Sequence, residues 1–247
     1  MPLVSNSLTS LLRRARKGGL ERAFMLFGKN LPGPLRGWLI RHRIRQHDRF
    51  DTKYRVDTQA PVRISDLETA NPAAPFANRY EGTPIVAIRK IIRRLKIDRP
   101  QFTFIDLGSG KGRVLLIAAQ YPFKSVIGIE FSETLHNIAS TNIRSFCKSA
   151  PTKTHPTSIN CDAAGFDFSD LGNKVVFCYN PFAAELMIRV IHNLQRSRHP
   201  SEETLLVYLG PMARSVSEAL CRFPTVSGGE FLSEFGFFEQ YSIFKMQ

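Results

Sequence analysis

The sequence predicts an α/β protein: a doubly wound, seven-stranded, mostly parallel sheet preceded by a basic helical extension. Three observations carry this expectation. Short apolar runs alternate with helical stretches from residue 83 onward, most of the runs are apolar on both faces, and the first leads directly through a glycine-rich turn into a helix. A chain of 247 residues, 43% hydrophobic and 22% charged, suits one large domain with an appendage and argues against disorder, collagen-like repeats and coiled coil. No apolar stretch approaches the length of about eighteen residues that a membrane-spanning helix needs.

Residues 8–28 and 35–50 read as two helices with interspersed apolar and basic residues, separated by the breakers Pro32, Gly33 and Pro34. Residues 1–50 hold eleven Lys and Arg against only Glu21 and Asp48, which is +9 of the formal net charge of +13. Arg13 to Lys17 follow the apolar residues instead of preceding them, unlike a secretory signal; an Arg-rich, acid-poor start is also the composition of an organelle transit peptide. Pro61, Pro72 and Pro75 make 51–79 an irregular connection. The expected division is an extension over 1–79 and a main domain over 80–247.

The main domain opens with a helix on which Ile85, Ile88, Ile91, Ile92 and Leu95 share one face and Arg89, Lys90, Arg93 and Arg94 mostly the other. Strands are expected at 102–107, 125–131, 158–162, 174–180 and 204–210, with helices at 112–121, 133–146 and 183–196 between them. Two closing strands fall near 223–232 and 236–246. Cys147, Cys161, Cys178 and Cys221 show no paired spacing, which speaks against a disulfide framework or a cysteine-rich zinc site and for a reducing, cytoplasmic setting. Cys161 and Cys178 read as core residues, His136 and His192 lie on helices without a partner ligand, and no metal site is expected.

In a doubly wound sheet, ligands sit beyond the carboxyl ends of the strands, so the residues that end each run matter most. The first run ends in Asp106-Leu107-Gly108-Ser109-Gly110-Lys111-Gly112-Arg113. Glycines at 108, 110 and 112 permit a tight turn and let a ligand approach the backbone and the positive end of the following helix. Their spacing is one residue short of the dinucleotide fingerprint. Asp106 would repel a pyrophosphate but attract a ligand carrying an ammonium and a sulfonium, as S-adenosyl-L-methionine does. Lys111 opposes that attraction unless its side chain points to solvent. Glu130 ends the second run, eighteen residues after Gly112, near the interval at which an acid meets ribose hydroxyls. Asp162 and Ala163 end the third, placed for an adenine amino group and ring nitrogen. Tyr179, Asn180, Pro181 and Phe182 end the fourth, offering an amide carbonyl to orient an amine and flat faces to a cation or base.

This order of strand ends resembles the class I S-adenosylmethionine-dependent methyltransferases over about residues 80–210, which implies their Rossmann-like, seven-stranded fold. The resemblance implies that Asp106, Gly108 and Gly110 line the methionine end of S-adenosyl-L-methionine, with Ser109 and Gly112 in the same loop, Glu130 on the ribose, and Asp162 and Ala163 on the adenine. Tyr80 to Pro84 is similar to an element of the non-SET histone-lysine methyltransferases associated with telomeric silencing, on which Tyr80 and Thr83 transfer as cofactor contacts. Asn180 to Ala183 is similar to their transfer-site stretch. Pro181 makes it similar also to the motif of amino-group nucleic-acid methyltransferases, although the second proline is missing. The whole chain is similar to bacterial methyltransferases of unassigned substrate. The implied activity is methyl transfer to a nitrogen of a protein lysine or a nucleic-acid base, with Asn180, Pro181 and Phe182 at the acceptor and a substrate engaged through the basic N-terminus. The alternative is a non-catalytic module gripping RNA or another polyanion. A nicotinamide-dependent oxidoreductase is disfavoured by the glycine spacing and Asp106.

Overall fold

The computed structural model describes residues 49–60, 62, 82–179, 182–210, 212, 214–232 and 238–246. The strands are β1 (Phe102–Leu107), β2 (Ser125–Glu130), β3 (Pro156–Asn160), β4 (Asn173–Tyr179), β5 (Thr204–Leu209), β6 (Thr225–Leu232) and β7 (Phe238–Met246). They form one seven-stranded sheet in the order β3-β2-β1-β4-β5-β7-β6. Pairing is parallel from β3 across to β5, and β7 runs antiparallel to β5. The helices are α1 (Ile85–Arg94), α2 (Arg113–Ala118), α3 (Glu133–Ser149), α4 (Ala184–Arg196) and α5 (Arg214–Leu220). The larger of two compact units, His47–Gly229 with Gln240–Gln247, holds the elements that position the site.

Both faces of the sheet are covered, as the two-sided apolar strands require. On one face Ile105, Leu107, Val176, Cys178, Leu206 and Tyr208 pack in one apolar cluster with Leu186, Met187 and Val190 of α4 and Val216 and Leu220 of α5. The other side of β1 and β4 carries Phe104, stacked on Phe177 and tilted against Phe123. The wholly buried α2 lies against β1, β2 and β3 and touches α1 and α3. α1 buries the four isoleucines that its periodicity marked, while Arg94 reaches across to donate to the Tyr241 hydroxyl at 2.7 Å.

Several boundaries differ from expectation for identifiable reasons. β3 ends at Asn160 instead of 162, because the Asp162 carboxylate turns back to accept from the Ala164 amide at 2.9 Å and closes a side-chain turn. Cys161 therefore lies past the strand, half-buried against the core instead of within it. α5 was not foreseen, since its seven residues bury only Val216 and Leu220. The basic helix expected to end at residue 50 has helical residues through 54. It stops where Val56 N–H donates to Asp51 O at 3.0 Å and Arg55 N–H to Thr52 O at 3.4 Å, the paired bonds of a Schellman turn. Its left-handed position, usually glycine, is Arg55 at φ 53°, a conformation that costs a side-chain-bearing residue about 1 kcal/mol.

One glycine is fixed by a close approach. A Cβ on Gly128 of β2 would stand 2.5 Å from Leu115 Cδ1 and 2.6 Å from Ser109 Oγ, so the loop after β1 packs directly on bare backbone. Gly128→Ala should therefore lower stability by about 1–3 kcal/mol through overpacking, seen as an earlier urea midpoint at unchanged slope. A midpoint equal to the parent's would contradict this packing.

Candidate functional site

The strand order creates a crevice. The chain steps from β1 outward to β2 and β3, then returns to place β4 on the other side of β1. Helices after β1 and β4 consequently leave on opposite faces, and the carboxyl ends of these two strands open between them. Asp106 occupies the penultimate position of β1, and the glycine loop follows. Gly108, Gly110 and Gly112 adopt φ of 69°, 52° and 82°, left-handed values at which a Cβ would strain the chain. Gly108 and Ser109 both donate their amides to Ile129 O, at 2.9 and 3.1 Å, which hangs the loop on the end of β2.

Glu130 completes that attachment. It is 3% exposed, and its two oxygens accept from the Gly110 amide at 2.8 Å and the Ser132 amide at 2.9 Å. Ser132 in turn caps α3, its hydroxyl accepting from Leu135 N–H at 3.3 Å. One carboxylate thus joins the glycine loop to the start of α3. Burial pushes the Glu130 carboxyl up to about 7 even though the amides pull it down. Asp106, also buried, is held well above the usual carboxylate range, by burial first and by the neighbouring Glu130 second. Ser109 Oγ is a third buried polar group here and has no hydrogen-bond partner among the described residues.

Two buried carboxylates beside a backbone loop make a donor set suited to a cationic, hydroxyl-bearing ligand and unsuited to a phosphate. S-adenosyl-L-methionine fits this set: its ammonium and sulfonium would meet Asp106, and its ribose hydroxyls would meet Glu130. The sequence marked Glu130 as an expected ribose contact, and nothing in it marked the bracing of the loop.

Lys111 does not point to solvent. It is 2% exposed, and its ammonium pairs with Asp57 Oδ2 at 2.7 Å, so its charge is met by a carboxylate from residues 49–60 of the same compact unit. That segment makes a set of contacts that sequence reasoning missed. Arg113 Nε donates to Thr58 Oγ1 at 2.8 Å, while Asp51 accepts from the Thr58 amide and hydroxyl and from the Gln59 amide at 2.6–2.9 Å. Asn142 of α3 donates to Asp57 O at 2.7 Å and to Lys111 O at 2.9 Å, and accepts from the Asp57 amide at 2.9 Å. Gly82 is pressed into the same place, since a Cβ there would lie 2.8 Å from Thr58 O and 3.1 Å from Arg113 Cζ. The only sequence signal was the run of small polar and acidic residues, Asp51, Thr52, Asp57 and Thr58, in a basic region.

Of the remaining expected site residues, Thr83 is buried just before α1, next to Gly82. Asp162 and Ala163 follow the end of β3, where Asn160 Nδ2 ties that tip to Glu130 O and Phe131 O at 2.9 and 3.0 Å. Phe182 is buried in the core with Leu186 and Met187, so it presents little surface to a channel. Tyr80, Asn180 and Pro181 lie outside the described residues. Cys178, buried on β4, has its thiol pushed up by burial and by Asp106, which makes it a core residue and no nucleophile.

The raised carboxyls have a pH consequence. A carboxyl whose folded value lies above its ordinary one stabilises the fold below that ordinary value, and loses the contribution as pH rises through the folded one. For Glu130 the window runs from 4.5 to about 7. The melting temperature of the ligand-free protein should therefore fall as pH rises across this window, and fall less in Glu130→Gln. Parallel curves for the two proteins would contradict the burial argument.

Comparison with known proteins agrees with this geometry. The family described as Histone methylation protein DOT1 matches residues 68–155, the stretch holding Thr83, the glycine loop and Glu130. Over 73 residues the chain is 34% identical to the histone-lysine N-methyltransferase, H3 lysine-79 specific, of Drosophila melanogaster, covering 29% of this chain and 4% of that protein. This chain thus spans a small fraction of that relative's length. Magnesium protoporphyrin IX methyltransferase from Synechocystis PCC 6803, solved with bound SAH, is similar with a TM-score of 0.51 at 15% identity, covering 66% of this chain and 83% of that one. TrmN from Thermus thermophilus gives 0.52 at 14% identity, covering 66% and 49%. The chain shares the fold of these solved structures, with similarity to the DOT1 family across its glycine loop and second strand.

Proposed function

We propose that this protein transfers the methyl group of S-adenosyl-L-methionine to a nitrogen acceptor, a protein lysine amine or a nucleic-acid amino group. The observation that carries the reading is the pair of buried carboxylates, Asp106 and Glu130, at adjacent strand tips around a left-handed glycine loop. Bound cofactor supplies a methyl group already activated by its sulfonium. The work left to the chain is binding and alignment, which can contribute roughly 7–11 kcal/mol to such a reaction.

In this reading Asp106 holds the ammonium, and Gly108, Ser109 and Gly110 line the methionine end. Glu130 holds the ribose while bracing the loop, and Asp162 and Ala163 receive the adenine. Thr83 and Tyr80 close the methionine side. Asn180 and Pro181 are assigned to the acceptor, with the Asn180 carbonyl orienting its amine so that the nitrogen lone pair points at the methyl carbon, while Phe182, buried with Leu186 and Met187, contributes by packing. A lysine acceptor must lose its ammonium proton to solvent before it attacks, whereas a nucleic-acid amino group is already neutral and loses a proton once the methyl is transferred. A nitrogen acceptor is supported by the similarity over residues 68–155 to a family described by histone methylation. The charge of +13 favours encounter with polyanions or acidic surfaces without choosing among them.

The test uses the full chain with radiolabelled cofactor and whole-cell lysate, separated into protein, RNA and small-molecule fractions. Label should enter protein or RNA and disappear with Asp106→Asn, whose cofactor affinity should drop at least about a hundredfold by calorimetry. Label confined to small molecules would overturn the proposed acceptor class, and undiminished affinity in the variant would overturn the cofactor assignment.

A further inference from the structure

The face of the domain formed by α3 and the segment before it carries a cleft of about 490 Å³ lined by Lys53, Tyr54, Arg55, Arg144, Ser145 and Lys148, with Thr141 and Ser149 at its margins. Among the described residues its charged ones are all cations: two from the segment and two from the helix, all four exposed. None of the four joins an ion pair among the described residues, in contrast to Lys111, whose charge Asp57 meets. Lys53 rests its ammonium 4.7 Å over the Tyr54 ring, which is itself packed edge-on against Phe50 and Phe146. The cleft is therefore a rigid wall carrying unpaired positive charge.

Arg55 is the informative residue. It occupies the left-handed end of a Schellman turn, where glycine would sit without strain, and its backbone is pinned there by Ser145 Oγ, which donates to Arg55 O at 2.8 Å and Tyr54 O at 3.0 Å. A long cationic side chain at a position that favours glycine is worse for folding and supplies a charge at the mouth of the cleft. Arg144 and Lys148 stand one helical turn apart, about 6 Å along the axis, which lets each engage a different phosphate of one strand. The hydroxyls of Thr141, Ser145 and Ser149 already donate to backbone carbonyls, so the cations are the donors left for a ligand.

The geometry points to a docking site for the phosphodiester backbone of a nucleic acid, separate from the cofactor crevice and independent of the proposed methyl transfer. A membrane surface fits less well. Among the described residues the exposed large apolar side chains are Ile159 and Val226, neither of which lines the cleft, whereas a surface-bound protein inserts apolar side chains beside its cations. No aromatic face is free to stack a base, because Tyr54 is buried, so recognition here is of the backbone and carries no sequence preference.

The test measures fluorescence anisotropy of a labelled single-stranded RNA and a labelled duplex DNA with the full chain across a salt series. Phosphatidylserine vesicles and polyglutamate serve as comparators. Arg55→Gly should melt at the parent's temperature or above it while binding at least about threefold more weakly, with a salt slope smaller by about one. Arg144→Gln with Lys148→Gln should weaken binding more and reduce the slope by about two, leaving cofactor affinity by calorimetry unchanged. Arg93→Gln with Lys96→Gln, at and just beyond the end of α1, which removes the same charge elsewhere, should do markedly less. Cleft-sensitive binding of either nucleic acid supports the site, and the tighter of the two identifies the source. The proposal fails if the parent binds neither, if the cleft variants bind no more weakly than the α1 control, or if vesicles or polyglutamate bind the parent more tightly than nucleic acid.

Discussion

A carboxylate kept out of water between two backbone amides is the constraint on which the rest of the site depends. Glu130 holds Gly110 with one oxygen and Ser132 with the other, so the bend after β1 and the start of α3 are positioned by one side chain. The arrangement is costly, since burial favours the protonated form and Asp106 adds a second carboxyl in the same surroundings. Such a pair suits a site that receives charge of the opposite sign, and perturbed carboxyls in a crevice make it a functional-site candidate. The same two groups therefore shape the loop and select what can lie against it.

The loop is also held by residues 49–60. Lys111 and Arg113 would be unfavourable neighbours for a cationic ligand if their charge were unmet, and the segment containing Asp51, Asp57 and Thr58 meets it. Asn142 closes the connection by bonding the backbone of both partners. Residues 49–60 consequently serve two neighbouring surfaces: one side fixes the loop cations, and the other, through Lys53 and Arg55, presents charge beside α3. A disturbance on one surface has a short covalent path to the other.

The parts of this site that could be read from sequence are those whose chemistry is local. Strand β1 and its glycine bend were evident because an apolar run, a turn that only glycine makes easily and an apolar helical continuation fall within about fifteen residues. Glu130 stood out as the lone acid closing an apolar strand. The Lys111–Asp57 pair joins positions 54 apart, and nothing in either neighbourhood specifies the other, so solvent was the default expectation for the lysine. The Asp162 turn and α5 were missed for a related reason: a side chain bonding its own backbone and a helix with two buried residues leave almost no periodic trace.

The most direct measurement is the number of protons exchanged when the cofactor binds, read by calorimetry in buffers of different ionisation enthalpy at about pH 6, below the point where Glu130 ionises. If a cationic ligand is received by Asp106 and Glu130, binding must drive carboxyl protons off, and close to one or more should be released per cofactor bound. A binding heat that is the same in every buffer would mean that neither carboxyl changes its charge, and the central role given to this pair would be wrong.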